Sequence, residues 1–517
     1  MRHIKKLASL LLALVMALSL AVTAFADEST TYSITINNST AGHTYEAYQI
    51  FTGDLATNEA GNKVLSNIVW GSGVSEAGQT AQGDAAAKAE TLKNEADAKA
   101  FAKAVAPYLT TAAGSANTVT DGKYVISGLA AGYYLVKDRD GSLTGDNDSY
   151  TEYIIQVVGN VTATPKSDVP EVQKKVKDIN DSTDTTKTDW QDSADYDIGD
   201  SIPFQLKATL ANNVSSYTTY KVVFHDTLSK GLTYNNDAKV YIGGTETNGF
   251  TVTATVNADG TTTLTVSCDD VKALGAGNSS VITVEYTVKL NENAVLGSAG
   301  NPNEVYLEYS NNPNKSEGGN NETGKTPKDV VIVFTYKTII NKVDSENAPL
   351  TGAAFKLEKL IKGKDGAAGT WTTVKEFTVD ETTTSFTFSG LDDGQYKLTE
   401  TKTPVGYNTI DPIYFVIEAT HDETADAPTL KTLNAYLTDA NGNKQTEMKD
   451  SESVNIDLGI VDLTAGSITT TVVNKSGSEL PSTGGIGTTI FYVLGGVLVL
   501  AAVVLLVTKK RMSGAEK

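Results

Sequence analysis

The chain of 517 residues carries 42 basic and 62 acidic side chains, a formal net charge of −20, and one cysteine. That balance excludes an electrostatic footprint for nucleic acid, and the lone Cys268 excludes a disulfide framework and cysteine-rich zinc or iron–sulfur centres. A 40% hydrophobic share rules out global disorder, and the length suits about three domains. Four scattered histidines leave little from which to build a metal centre, so neither a metal nor an organic cofactor is expected. The polar residues are rich in Thr, Asn, Asp and Gly, and Val and Tyr are prominent among the apolar ones. That usage predicts an all-β chain with turn-forming loops.

Residues 1–26 read as a secretory signal peptide: Arg2, Lys5 and Lys6 precede an apolar run that closes on Ala24-Phe25-Ala26. The segment 27–166 follows. It opens with the period-two strand Tyr32 to Ile36 and later holds the strand patterns Gly132 to Val136 and Tyr153 to Val158. Between them, Asp84 to Leu109 is rich in Ala, Lys and Glu, with Leu92, Ala96, Phe101, Val105 and Leu109 near helical spacing and Asp84 as N-cap. This predicts a helix inserted in a β domain. Asp138, Asp140, Asp146 and Asp148 form an acidic loop that misses the EF-hand spacing and reads as a solvated turn.

The segment 167–336 contains a predicted hairpin, Thr251 to Val256 and Thr261 to Val266, turned at Asn257 to Gly260. Asn311 to Lys328, rich in Asn, Gly, Pro and Lys, reads as a loop or linker before a strand Val330 to Tyr336. The segment 337–476 reads as a small β-sandwich of short strands. Within 477–517, Leu480-Pro481-Ser482-Thr483-Gly484 precedes an uncharged apolar stretch, 490–507, which has a membrane-spanning length and is followed by Lys509, Lys510 and Arg511. An extracellular chain beyond residue 26 would lack disulfides, which invites a search for another cross-link.

The ordered trio of pentapeptide, apolar span and basic tail resembles the cell-wall sorting signal of Gram-positive surface proteins. The resemblance implies that a sortase cuts between Thr483 and Gly484, holding the Thr483 carbonyl as a thioester until an amine attacks it. Asn341 to Asp344, Pro349 to Leu357 and Tyr396 to Tyr407 resemble the collagen-adhesin B-type domain and its E-box. Pro170 to Val176 and Asp226 to Leu232 are similar to the middle domain of sortase-assembled pilins. Tyr45 to Phe51 and Thr164-Pro165-Lys166 are similar to the pilin N-terminal domain. Together these imply tandem immunoglobulin-like sandwiches of collagen-adhesin A and B type in a shaft-forming pilin. The implied partners are identical subunits, minor pilins, pilus-specific and housekeeping sortases, and finally peptidoglycan. A monomeric wall-anchored adhesin and a minor pilin remain as alternatives.

The resemblance also implies, in each of the two later domains, an amide between a Lys on the first strand and an Asn on the last, assisted by a buried acid. Strand alternation tests which residues could take part. Lys174 shares a face with Val172 and Val176, Asp226 with Val222, Phe224 and Leu228, and Asn303 with Val305, Leu307 and Tyr309. Lys175 is the one-register rival. In the third segment the same test selects Lys342, Glu400, which follows Leu398, and Asn474, which follows Val472. An apolar core lowers a lysine pKa towards the neutral amine and raises a carboxyl pKa, so the acid can hydrogen-bond the Asn carbonyl while the amine attacks. The opening strand Thr31 to Asn37 has no lysine, and no amide is expected in the first domain.

The family's acceptor for polymerisation is the lysine of a Tyr-Pro-Lys motif. Here Thr164 stands for the tyrosine and Lys166 is the matching lysine, with Lys174, Lys175 and Lys177 as competitors. His43, His225 and His421 fall in unrelated segments and no serine lies in a nucleophile elbow, so no conventional enzyme activity is expected. Cys268, after Leu264 and Val266, reads as a buried thiol.

Overall fold

The structure is a computed structural model that describes residues 31–59, 61, 63–157, 159–183, 189–317, 321–363, 368–445, 457–477, 494, 497–506 and 509. The expected signal peptide and the Leu480 to Gly484 pentapeptide lie outside these residues. Among the described residues strands dominate, in six sheets that face one another in pairs.

In the N-terminal body Tyr133–Asp138 is buried on both faces, which accounts for its apolar run Tyr133 to Val136, and it pairs with Tyr45–Thr57, which is buried on both faces only as far as Phe51. Tyr45, Ala47, Tyr134 and Val136 face a three-stranded sheet through Ile34, Ile36 and Ile126. Tyr48, Ile50, Phe51, Tyr133 and Leu135 face the helices through Phe101, Ala102 and Val105. The predicted single helix, Asp84 to Leu109, is two short ones, Ala85–Thr91 and Glu95–Val105, and a first helix that was not expected, Glu76–Gln82, precedes them. Asp84 caps the second as expected, and Asn94 caps the third by accepting from Asp97 N, which restarts the helix and re-aims it.

The middle body packs two seven-stranded sheets over one apolar core. The predicted hairpin is present as Thr251–Val256 paired with Thr262–Cys268, and Cys268 is buried and free. The stretch expected as a loop or linker is, where described, a loop with one short strand, and it is packed rather than free. Asn311, Asn312 and Ser316 are buried, and Thr323–Lys325 adds a strand to the sheet through Asn301–Ser310. Its side chains grip the N-terminal body: Asn311 Nδ2 donates to Asp148 Oδ1 (3.0 Å) and Asn314 Nδ2 to the Thr151 carbonyl (2.9 Å). Polar, turn-like composition here signals a hydrogen-bonded joint rather than a tether.

The expected strand Val330 to Tyr336 divides at Thr335 into Asp329–Phe334 and Tyr336–Asp344. Phe334 and Tyr336 both pack in the core of the C-terminal body, between a four- and a five-stranded sheet. Here the first strand, Tyr336–Asp344, lies parallel to the last, Ser467–Asn474, over its length from Lys337 to Asp344. The N-terminal body closes in the same way, with Tyr32–Asn37 parallel to Val161–Ala163. Backbones of the middle and C-terminal bodies touch at Gly297 and Gly466, both at positive φ, where a side chain would collide with the opposing backbone. Among the described residues no helix is long and apolar enough to cross a membrane. Of the expected span 490–507, residues 494 and 497–506 are described, and they are helical and exposed.

Phe101 stacks on Phe51 (centroids 5.5 Å apart) beside Trp70 and anchors the helices to the sheet. Phe101→Ala is expected to destabilise the N-terminal body by about 3–5 kcal/mol, measured by urea unfolding followed through Trp70. A loss below about 1 kcal/mol would contradict this packing role.

Candidate amide-forming sites

In the middle body Lys174 lies on Glu171–Lys177, opposite Leu206, and its side chain is fully buried. Asp226, on Val222–Leu228, is flanked by Leu264 and Val305 on the neighbouring strands and is equally buried. Asn303, on Asn301–Ser310, stands between Leu228 and Val331. Lys174 belongs to one sheet, and Asp226 and Asn303 to the other. Lys174 Nζ donates to Asp226 Oδ1 at 2.5 Å and stands 5.2 Å from the Phe204 ring centroid. The strand bearing Asn303 is followed by Asp329–Phe334, so it is not the last of its sheet, as the resemblance had implied.

A fourth residue, Tyr286 on Val281–Leu290, escaped the sequence reading. Its hydroxyl accepts from Lys174 Nζ (2.9 Å) and from Asn303 Nδ2 (3.0 Å), and it donates to Asp226. The ring stacks on Phe204 at 5.7 Å. A tyrosine on the wholly apolar face of Ile282, Val284 and Val288 was the available signal, since a buried phenol requires a partner. Asn303 Oδ1 has no hydrogen-bond partner. Burial lowers the Lys174 pKa, against the opposing pull of Asp226, and burial raises that of Asp226, against Lys174. Both shifts favour the neutral amine and the neutral acid. Lys175 turns the other way and ion-pairs with Asp192.

The C-terminal body holds a second constellation with a different layout. Lys342 and Asn474 sit on the adjacent parallel strands of one sheet, Lys342 opposite Val472 and Asn474 opposite Asp344. Glu400 comes from Gly394–Lys402 in the facing sheet. Lys342 and Asn474 are fully buried, and Glu400 is 5% exposed. Asn474 Nδ2 donates to both Glu400 oxygens, at 2.9 and 3.1 Å, and Asn474 Oδ1 is unpartnered. Lys342 Nζ donates to the Val343 and Val472 carbonyls, at 3.0 and 3.1 Å. Burial pulls the Lys342 pKa down to about 8 and raises that of Glu400.

Lys166 lies in the exposed connection between Val161–Ala163 and Glu171–Lys177, its ammonium paired with Glu95 on the third helix. The pairing holds the Glu95 carboxyl below its ordinary range. Thr483 lies outside the described residues. In the N-terminal body no lysine is buried among the described residues. The acidic loop differs from a solvated turn at two positions. Asp138 is buried, paired with His43 Nδ1 (2.8 Å) and accepting from Thr151 N (2.7 Å), and Asp148 joins the inter-body contact with Asn311. His43 is far off in sequence, so spacing within the loop could not show its partnership.

Residues 198–313 match the Gram-positive pilin backbone subunit 2, Cna-B-like domain family. Residues 337–431 match the SpaA prealbumin-like fold domain, and 472–513 the LPXTG cell wall anchor motif. Together these matches support a Gram-positive backbone pilin. A trypsin-resistant surface T6 protein of Streptococcus pyogenes serotype M6 is 25% identical over 451 residues, covering 76% of this pilin and 77% of the relative. The solved T6 backbone pilin of that serotype, described as a modular three-domain structure, aligns with a TM-score of 0.55 at 17% identity, over 87% of this pilin and all of that chain. The pilin is a sortase-polymerised pilus subunit, anchored at the cell wall and displayed on the surface, and its role is structural.

Lys342 offers a test of its electrostatics. In an Asn474→Ala pilin, in which the proposed amide cannot form, Lys342 is expected to contribute stability that rises from about pH 8 towards its ordinary value of 10.5. Over that range the unfolded chain binds a proton that the folded chain has released. Denaturant unfolding against a Lys342→Met/Asn474→Ala reference isolates the effect. A difference that is flat or falls with pH would contradict the depressed pKa.

Proposed function

We propose that this pilin forms a pilus shaft in which each subunit locks itself with two internal amides and is joined to the next through Lys166 and Thr483. In the middle domain Lys174 joins Asn303 with Asp226 as the assisting acid. In the C-terminal domain Lys342 joins Asn474 with Glu400. The observation that carries the reading is that each of the two later bodies buries a lysine, Lys174 or Lys342, in one site with a carboxyl and an asparagine, with the burial shifting both titrating groups towards neutrality. An isolated buried charge is too costly to persist without such compensation.

The chemistry balances without any added reagent. The neutral Nζ attacks the Asn side-chain carbonyl carbon, forming the new C–N bond. With the Asn amide turned over so that Oδ1 faces the acid, the protonated carboxyl polarises the carbonyl oxygen, and the acid shuttles a proton from Nζ to the departing nitrogen. The old C–N bond breaks and ammonia leaves. Each chain performs the step once per site, so the reaction is self-processing rather than enzymatic turnover.

Between subunits, a pilus-specific sortase would cleave after Thr483 and pass its carbonyl to Lys166. A housekeeping sortase would finally transfer the chain to peptidoglycan, and minor pilins would complete the fibre. Residues 1–26 would direct export and 490–507 would hold the precursor in the membrane until cleavage. The exposure of Lys166 supports its accessibility to an incoming sortase. With domain limits near residues 166 and 336, as proposed, the acceptor lysine would lie at the first boundary.

Two measurements test the proposal. The intact mass of the mature pilin should fall short of the sequence mass by two ammonia molecules, by one in Lys174→Ala or Lys342→Ala, and by none in the double variant; an undiminished mass sinks the internal amides. A denaturing immunoblot of cell-wall extract should show a high-mass ladder that collapses to monomer with Lys166→Ala. A ladder that survives the substitution would move the acceptor to another lysine, and no ladder in the wild type would favour a monomeric adhesin.

A further inference from the structure

The joint between the middle and C-terminal bodies gathers groups that are far apart in sequence. Asp178 follows the strand Glu171–Lys177, Asp195 ends Ser193–Asp195, and His421 ends Ile413–His421 across the joint. One ligand atom from each lies within 4.8 Å of the others. His421 Nε2 is 3.4 Å from Asp178 Oδ2 and 3.9 Å from Asp195 Oδ1. The His421 and Asp195 side chains are 6% and 3% exposed.

Two observations point to a ligand. The first is the orientation of the imidazole. Ser193 Oγ donates to the Asp422 carbonyl (2.5 Å), so it accepts from His421 Nδ1–H at 2.7 Å. That fixes Nδ1 as the protonated nitrogen and leaves Nε2 facing the two carboxylates, the arrangement by which an outer partner orients a metal-binding histidine. The second is an orphaned atom: Asp195 Oδ2 is buried and has no hydrogen-bond partner. Two ligands about 2.0–2.1 Å from a tetrahedral zinc ion stand roughly 3.4 Å apart, the spacing between Nε2 and Asp178. Asp195 stands slightly wider and closes by a small side-chain rotation. Asp392 and Asp393 each place an oxygen within 4.8 Å of Asp195, and Lys359 Nζ, 3.0 Å from Asp392 Oδ2, balances part of that charge, so the case for the ion rests on the triad's own geometry.

We propose that Asp178, Asp195 and His421 bind a divalent transition-metal ion of the zinc class, with Ser193 as the positioning residue behind the imidazole. The ion pins the C-terminal body to the middle body through one nitrogen and two carboxylates. Imidazole with carboxylate donors suits this class, whereas calcium takes oxygen ligands alone. The site is independent of the amide chemistry.

The purified full chain, stripped with chelator, is titrated with Zn2+ and with Co2+. One Zn2+ per chain is expected at this site, and Co2+ should give the visible absorption of a tetrahedral nitrogen–oxygen environment that Zn2+ abolishes. His421→Gln and the half-exposed Asp178→Asn should lose the Co2+ spectrum, with circular dichroism confirming that both are folded. Ser193→Ala should weaken Zn2+ binding about 10–100-fold, as loss of an outer partner does. Absence of Zn2+ binding overturns the proposal and leaves His421 as an imidazolium paired with two aspartates. Binding unchanged in His421→Gln and Asp178→Asn overturns it equally, placing the ion at another histidine such as His43 or His225. Ca2+ displacing Co2+ at equal concentration overturns the assigned metal class.

Discussion

A lysine held between two β-sheets without water cannot keep its charge cheaply, and the architecture of the two later bodies turns on that constraint. Lys174 and Lys342 are both fully buried on apolar faces. A nearby carboxyl relieves part of the penalty by pairing, yet it is itself pushed towards the neutral acid by the same burial. The state that resolves both difficulties is the one in which neither group needs a charge. An amide to the adjoining asparagine is such a state, and it leaves the acid free to stay protonated.

The two bodies arrange this chemistry differently, and the difference has mechanical meaning. In the C-terminal body Lys342 and Asn474 lie on neighbouring parallel strands at the start and end of the fold, so a bond between them would join the points where the chain enters and leaves. In the middle body the lysine faces its partners across the sandwich, so the bond would staple sheet to sheet. On the proposed linkage, tension enters at Lys166 and leaves at Thr483. Residues before 166 then lie outside the load path. The N-terminal body, closed by only a three-residue parallel pairing and holding no buried lysine among its described residues, has no load to resist. A cross-link also removes loop entropy from the unfolded chain, as a disulfide does, in a chain whose only cysteine is free.

Period-two alternation was enough to show which way Lys174, Asp226, Asn303, Lys342 and Asn474 face, because one buried face fixes strand register. It could not show which sheet each strand joins, and that is why the cross-sandwich layout in one body and the side-by-side layout in the other emerge only from the fold. Tyr286 was hidden because tyrosine is at home in any strand, and only its hydroxyl distinguishes it. The helical stretch was legible in composition but not in its break at Asn94, where a side-chain cap outweighs the continuing propensity. Asn311 to Lys328 was legible as a loop but not as a joint, since turn-forming side chains that bind a neighbouring body look the same in sequence as a solvated tether. The histidine and aspartates of the second joint are brought together by tertiary structure alone, with more than 200 residues between Asp195 and His421.

The central claim, that burial converts each lysine into an amide, is tested most directly by peptide mapping of the mature pilin with tandem mass spectrometry. The account predicts branched peptides joining Lys174 to Asn303 and Lys342 to Asn474. It also predicts that replacing Asp226 or Glu400 with Ala restores the linear peptides at the matching site. Linear peptides with unmodified Lys174 and Lys342 in the folded wild-type pilin would contradict it.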